Sequence, residues 1–248
     1  MLIRCIDVAL VPDEALPDMD CWLVVDLLRA SSQIVTFFSL GGEVLLPVIK
    51  VQDALDLKKK MGDSWVLMGE RNGIPPVGFD MGNSPSALKQ KGLGGKTKGI
   101  ICTSNGTQAL LKAEQYGRNV VVASALNASC ACDAAMEMGE EIGILCAGKG
   151  GRVMLDDAVC AGMLAEKLIT AAALQEEEPV LSDSCQIALA LWHNVKGDLK
   201  AGVMQSQHAG ELVSKGFSFD VDYCCRADVH ALVPRLRSWN LNPALYAE

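Results

Sequence analysis

Apolar residues fall along this chain in short runs, each followed by a glycine- or hydroxyl-bearing turn and then by a stretch with helical spacing. Cys21 to Asp26 (CWLVVD) is apolar up to a terminal acid, the pattern of a buried parallel strand whose carboxyl end delivers Asp26 to a crevice. Leu27 to Ser32 follows as a strand-to-helix turn, with Ser31 or Ser32 as cap of a helix running to about Leu40, and Gly41-Gly42 stops it. Val44 to Val48 reads as a second strand and Asp53 to Met61 as a helix whose last turn is lysine-rich, as its dipole favours. Trp65 to Met68 is a third strand and feeds GERNGIPPVGFDMGNSPSAL, residues 69–88. With four glycines, three prolines and no apolar periodicity, that stretch is expected to be a shaped loop.

The same grammar then recurs. Ile100 to Thr103 is expected as a strand, Ser104 to Thr107 as a turn, Gln108 to Tyr116 as a helix stopped by Gly117, and Val120 to Ala123 as a strand. A helix from about Ala128 to Met138 precedes the strand Ile142 to Cys146 and the turn Gly148-Lys149-Gly150-Gly151. At an offset of 75, Ser32 meets Thr107, Gln33 meets Gln108, Gly42 meets Gly117 and Leu45-Leu46 meet Val120-Val121. Smaller drifts pair Met61-Gly62 with Met138-Gly139 and Phe79-Asp80 with Leu155-Asp156. We therefore expect a three-layer α/β/α fold with largely parallel sheets, built as one compact unit over 1–248 from two duplicated halves, about 20–90 and 95–168. Beyond Lys167 the pattern weakens. Gln175 to Pro179 reads as an acidic connector, Ser182 to Val195 and Val203 to Lys215 as helices, and Phe217 to Tyr223 as a strand leading to the apolar Val229 to Val233. This segment, 180–248, is expected to complete the fold at a sheet edge.

Composition agrees with α/β packing, since half of the 248 residues are hydrophobic but only 5 % are aromatic. A formal net charge of −8 disfavours nonspecific binding to nucleic acid or membrane surfaces, so an anionic ligand must be met by local cations. No apolar run approaches the ~18 residues of a membrane span. The opening residues, with Arg4 and Asp7, lack a signal-peptide pattern, and the chain is read as cytoplasmic. The ten cysteines sit mostly within apolar runs, as reduced core thiols would. Cys130 with Cys132, Cys224 with Cys225, and the scattered His193, His208 and His230 do not make a zinc pattern. A homo-oligomer is left open.

Ligands of open parallel sheets bind at the carboxyl ends of strands. Those loops here carry Asp26, Arg29, Ser31 and Ser32; Glu70, Arg71, Asp80, Asn83 and Ser84; Thr103, Ser104, Asn105, Gly106 and Thr107; and Asp156 and Asp157 after the 148–151 turn. Gathered carboxylates repel unless a cation neutralises them, and an all-oxygen set favours Mg²⁺ or Ca²⁺. Candidate ligands are Asp26, Glu70, Asp80, Asp156 and Asp157, with Asp26, Glu70, Asp80 and Asp157 as the candidate catalytic groups. Arg29 and Arg71 supply forks for an anion, and the TSNGT turn at a helix start is a second anion seat. Together they indicate metal-assisted chemistry on a small anionic phosphorylated molecule. GLGGKT at 92–97 is no P-loop, because the leading glycine position holds Gln90. GKGG at 148–151 is no dinucleotide fingerprint, because Val153 stands where its last glycine belongs.

DLLRASS (26–32), GERNGIPPVGFDMGNSP (69–85), TSNGT (103–107), Asn127 and CAGKGGRVMLDDAVCAG (146–162) resemble, in order, the signature blocks of the 2-phosphosulfolactate phosphatase family. The resemblance implies a Mg²⁺-dependent phosphatase that converts 2-phospho-3-sulfolactate to 3-sulfolactate, a step toward coenzyme M. It carries Asp26 and Arg29, then Glu70, Arg71, Asp80, Asn83 and Ser84, then Asn105, Gly106 and Thr107 into the site. Ser104 stands where the family commonly has Thr, and Asp156 where Glu usually precedes Asp157. On this reading a metal-activated water or a carboxylate, Asp26 first, attacks phosphorus. The alternative is a non-catalytic anion-binding protein on the same scaffold.

Overall fold

The computed structural model describes residues 2–195, 198–239 and 242–247. Among these, the apolar runs become ten strands: β1 (Cys5–Ala9), β2 (Met19–Val25), β3 (Val44–Pro47), β4 (Trp65–Gly69), β5 (Lys98–Cys102), β6 (Gly117–Ala123), β7 (Glu141–Cys146), β8 (Val180–Leu181), β9 (Pro234–Trp239) and β10 (Asn242–Ala247). The helices are α1 (Ala30–Ser39), α2 (Val51–Met61), α3 (Pro85–Lys91), α4 (Gly106–Tyr116), α5 (Ala128–Met138), α6 (Leu155–Ala173), α7 (Asp183–Val195), α8 (Leu199–Val203), α9 (Gln207–Ser214) and α10 (Ser218–Cys224).

All ten strands belong to one sheet, ordered β4-β5-β3-β10-β9-β6-β2-β7-β1-β8. Pairing is parallel within β4-β5-β3 and within β6-β2-β7-β1-β8. The two groups are joined by the β9–β10 hairpin, which pairs antiparallel with β3 on one side and β6 on the other. The result is a mixed α/β fold with a large, mostly parallel sheet flanked by helices. The strands matched by the offset of 75 hold mirrored places: β5 lies between β4 and β3, and β2 between β7 and β6.

β2 shows why its sequence lacks alternation. Cys21, Leu23 and Val25 pack with Ala128, Ala131 and Ala135 of α5 and Leu164 and Leu168 of α6, while Trp22 and Val24 pack with Ile34 and Phe37 of α1 and Leu110 of α4. Both faces are dry, so every position is apolar. The indole of Trp22 is fully buried and its Nε1 donates to the Tyr116 carbonyl at 3.2 Å, satisfying its one polar atom.

Several sequence expectations need correction. Of the segment 180–248, β8 does lie at a sheet edge, opposite β4, but β9 and β10 sit inside the sheet. Phe217 to Tyr223, read as a strand, is helical as α10: its alternating apolar residues imitate period 2, but the buried positions are Asp220, Val221, Tyr223 and Cys224, a helical spacing. Val229 to Val233 precedes β9 without being a strand. The helix expected over 203–215 is divided into α8 and α9, with Ser206 capping α9 through its hydroxyl on Ala209 N at 2.9 Å. Within 69–88 the loop gives way to α3, capped by Ser84 and begun by Pro85. No helix among the described residues is long and apolar enough to cross a membrane.

Candidate functional site

The loop from β2 into α1 is organised by Asp26 rather than capped by Ser31 or Ser32. Asp26 Oδ1 accepts the Ala30 N–H at 3.0 Å, and its carbonyl accepts both Ser31 N–H and the Ser31 hydroxyl, at 2.9 and 2.8 Å. Ser32 donates back to the Leu27 carbonyl at 2.9 Å. Both serines therefore serve the turn, and Asp26 keeps Oδ2 free of any such commitment. That oxygen faces α4: a Cβ on Gly106 would come within 2.7 Å of it and within 2.5 Å of Ala30 Cβ. Only glycine lets the TSNGT turn approach Asp26 this closely.

Glu70 bridges two loops, with Oε2 accepting the Gly73 N–H and Oε1 the Ser104 N–H, each at 2.8 Å. Thr103 and Thr107 close the turn on each other, Thr107 N–H to Thr103 Oγ1 at 3.1 Å and Thr107 Oγ1 to the Thr103 carbonyl at 3.0 Å. Asn105 extends the linkage to the loop after β7, accepting the Gly150 N–H at 3.2 Å. Asp157 fastens the ends of β2 and β7, accepting Leu27 N–H at 2.9 Å and Gly148 N–H at 3.0 Å. Loops from both parallel groups thus meet although the groups run in opposite directions.

Between them lies a cavity of about 250 Å³ whose wall includes Asp26, Arg29, Glu70, Asn83, Asn105 and His208. Asp156 is buried behind this wall, 1 % exposed. Neither of its oxygens has a hydrogen-bond partner, and His208 Nδ1 stands 3.5 Å from Oδ2. A buried carboxylate without donors is costly unless a cation or proton meets it. Burial, against the opposing Ala30 N–H and His208 and reinforced by Glu70 and Asp156, pushes the Asp26 carboxyl up to about 6. Burial likewise raises Asp157 well above the usual carboxylate range, with Asp156 and Asp26 adding to it.

The donor set fits Mg²⁺. It is all carboxylate oxygen, Asp156 is orphaned, and Asp26 Oδ2 is uncommitted. Among the described residues no three His, Cys, Asp or Glu side chains close into a ready-made cage.

A sequence model described as 2-phosphosulpholactate phosphatase matches residues 5–238. Curated relatives called probable 2-phosphosulfolactate phosphatase include one from Deinococcus radiodurans, 36% identical over 92% of each chain. Another, from Thermus thermophilus, is 37% identical over 93% of each chain, and one from Pseudothermotoga lettingae is 33% identical over 92% of this chain and 94% of its own. The chain belongs to the 2-phosphosulfolactate phosphatase family.

The family's blocks do not all reach the cavity. Asp26, Arg29, Glu70, Asn83, Ser104 and Asn105 line it. Asp80 does not: its Oδ2 accepts the Leu67 N–H at 2.8 Å beside β4 and is flanked by Lys58 at 3.3 Å and Lys96 at 4.0 Å. Burial opposes ionisation there, but the Leu67 N–H and the two lysines hold the carboxyl below its usual range. Arg71 is also absent from the wall. Its Nη1 donates to the carbonyls of Glu70 and Cys102, at 2.6 and 3.2 Å, and its Nη2 to that of Ile49, so the guanidinium clasps three loops. Ser84 caps α3 and donates to Asp220 Oδ1 at 2.8 Å. Sequence reading missed His208, Lys149, Lys215 and Asp220. Asp220, wholly buried, pairs with Arg29 Nη1 at 2.7 Å and fixes that guanidinium beneath the Phe217 ring. Lys149 lay in a noted glycine turn, but His208, Lys215 and Asp220 come from a segment without motif signal.

Proposed function

We propose that this protein hydrolyses the phosphate ester of 2-phospho-3-sulfolactate, or of a closely related phosphorylated hydroxy acid, to 3-sulfolactate and phosphate with Mg²⁺, a reaction on the way to coenzyme M. The observation that carries this reading is the pairing of donorless, buried Asp156 with the uncommitted Asp26 Oδ2 beside a cavity sized for a three-carbon ester. Asp26, Asp156 and Glu70 would hold the ion, which when bound would neutralise phosphate charge and polarise the phosphorus for attack.

The remaining chemistry belongs to the chain. Arg29, clamped by Asp220 and by the Gly73 carbonyl at 3.0 Å, offers a rigid guanidinium to an anionic oxygen. Ser104, Asn105 and Gly106 bring the N-terminus of α4, favourable for negative charge, to the same space. Asp26 is the group that either attacks phosphorus or accepts the proton of an attacking water. His208, the one imidazole in the wall, supplies a proton for the departing alkoxide. Asp157 and Arg71 position loops. The mirrored strand order supports reading residues about 20–90 and 95–168 as copies of one ancestral unit in a three-layer fold.

The test is phosphate release from 2-phospho-3-sulfolactate with Mg²⁺ and after chelation. We expect turnover with the ion and none without it. Binding without turnover would favour the non-catalytic anion-binding alternative.

A further inference from the structure

The cations of the cavity wall differ in how they are matched. Arg29 is paired with buried Asp220, and Lys149 with Glu211. Lys215, at the C-terminal cap of α9, has no carboxylate within ion-pair distance among the described residues, and its Nζ donates to the Asn72 carbonyl at 2.9 Å. It lines the same cavity. Gly73, at φ 82°, lies between the two basic groups: a Cβ there would be 3.7 Å from Lys215 Nζ, 3.8 Å from Lys215 Cδ and 3.9 Å from Arg29 Nη2. A side chain at 73 would thus meet both donors at ordinary contact distance. One of them is rigid and the other carries an unmatched charge.

We propose that Lys215 and Arg29, across Gly73, form a seat for the second anionic group of the substrate, its sulfonate or carboxylate, and that Lys215 sets the preference for an acid-bearing ester. This rests on the reading of the Asp26 end of the cavity as the phosphoester end. A molecule with its phosphate near Asp26 and Asn105 has its remaining acid groups to place along the rest of the cavity, which Arg29 and Lys215 line. A sulfonate is permanently charged and presents three acceptor oxygens, which suits an ammonium beside a fixed guanidinium. Residues 72 and 73 hold the two donors side by side: Lys215 donates to the Asn72 carbonyl and Arg29 Nη2 to that of Gly73.

Two measurements test this, the first without any phosphatase activity. The first is calorimetric binding of 3-sulfolactate, which has the sulfonate and carboxylate but no phosphate, to wild type, Lys215→Met and Lys215→Arg. We expect Lys215→Met to bind about tenfold more weakly, the worth of one charge-assisted contact, and Lys215→Arg to recover most of it. Equal binding by wild type and Lys215→Met, or none by wild type, overturns the proposal whether or not any ester is hydrolysed. The second is the ratio of kcat/KM for 2-phospho-3-sulfolactate to that for glycerol 2-phosphate, which lacks an acid group. Lys215→Met should lower that ratio about tenfold, through KM. An unchanged ratio would likewise overturn the assignment, whereas absence of turnover by wild type on both esters would fault the phosphatase reading and leave the binding result to judge the seat.

Discussion

Asp156 and Asp80 are both acids of the signature blocks, yet their surroundings are opposite. Asp80, on the flank of β4, has a backbone donor and two lysines, and its carboxyl is held below the ordinary range. Asp156, behind the cavity wall, has neither oxygen bonded and a neighbour, Asp26, whose carboxyl is raised to about 6. One site is complete as folded, and the other leaves two buried carboxylate oxygens without a hydrogen-bond partner among the described residues, which on the proposed reading a cation completes. An acid whose valences are already met contributes to the scaffold, whereas acids left unmet in a buried place mark where a ligand is needed.

The largest separation should come from substituting each acid. Asp156→Asn or Asp26→Asn should lower kcat for phosphate release about a thousandfold, several kcal/mol of lost transition-state stabilisation. Asp80→Ala should stay within about tenfold of wild type and show its effect as roughly 1 kcal/mol of lost stability in denaturant melts. Full activity in Asp156→Asn, or a collapse in Asp80→Ala, would reverse the roles assigned to the two places.

The two arginines repeat the contrast. Arg29→Ala strands the buried Asp220 charge, and should destabilise by about 3–5 kcal/mol while raising KM. Arg71→Ala leaves three loop carbonyls, those of buried Glu70 and Cys102 among them, without this donor and should cost about 1–3 kcal/mol, with KM changed less than in Arg29→Ala. Thermal melts and steady-state kinetics on the pair would show whether Arg71 has any direct part in binding.

The same comparison predicts opposite pH behaviour. Asp26 and Asp157 have folded pKa values raised by burial and by neighbouring acids, so their contribution to stability is whole below the unfolded carboxylate pKa near 4 and is lost as pH rises through about 6 for Asp26. Asp80, with its pKa lowered, contributes above that unfolded value and loses the contribution as pH falls through its folded pKa. Metal-free protein should therefore lose Tm between about pH 4 and about pH 6, and Mg²⁺ should restore it at the upper end. A metal-free Tm that rises over this range would contradict the unmet charge at Asp26. The smallest effect concerns Asp156→Glu, which installs the acid the family resemblance implies. Activity within about tenfold of wild type is expected, because the added methylene moves the carboxylate without removing it.

Much of the fold was legible because buried parallel strands read as short apolar runs, and Gly41, Gly62 and Gly117 fall at helix ends. The C-terminal part was not. A hairpin that pairs with strands more than a hundred residues away leaves no local trace of its place, and the alternation in residues 217–223 pointed to the wrong period. At the site, Asp26, Glu70, Asn83, Ser104 and Asn105 were readable from strand-end loops. Which of two arginines faces the cavity was not, because both follow strands and only tertiary contacts divert Arg71 to the carbonyls of Ile49, Glu70 and Cys102. His208 and Lys215 reach the cavity from α9 and its C-terminal cap, a distance in sequence that no motif spans.

The most direct test of the central claim is a Mg²⁺ titration of wild type, Asp156→Asn and Asp80→Ala, followed by phosphate release from 2-phospho-3-sulfolactate and by Tm on the same samples. Wild type and Asp80→Ala should both gain activity and thermal stability with the ion, and Asp156→Asn should gain neither. Equal Mg²⁺ responses in Asp156→Asn and wild type would contradict the account.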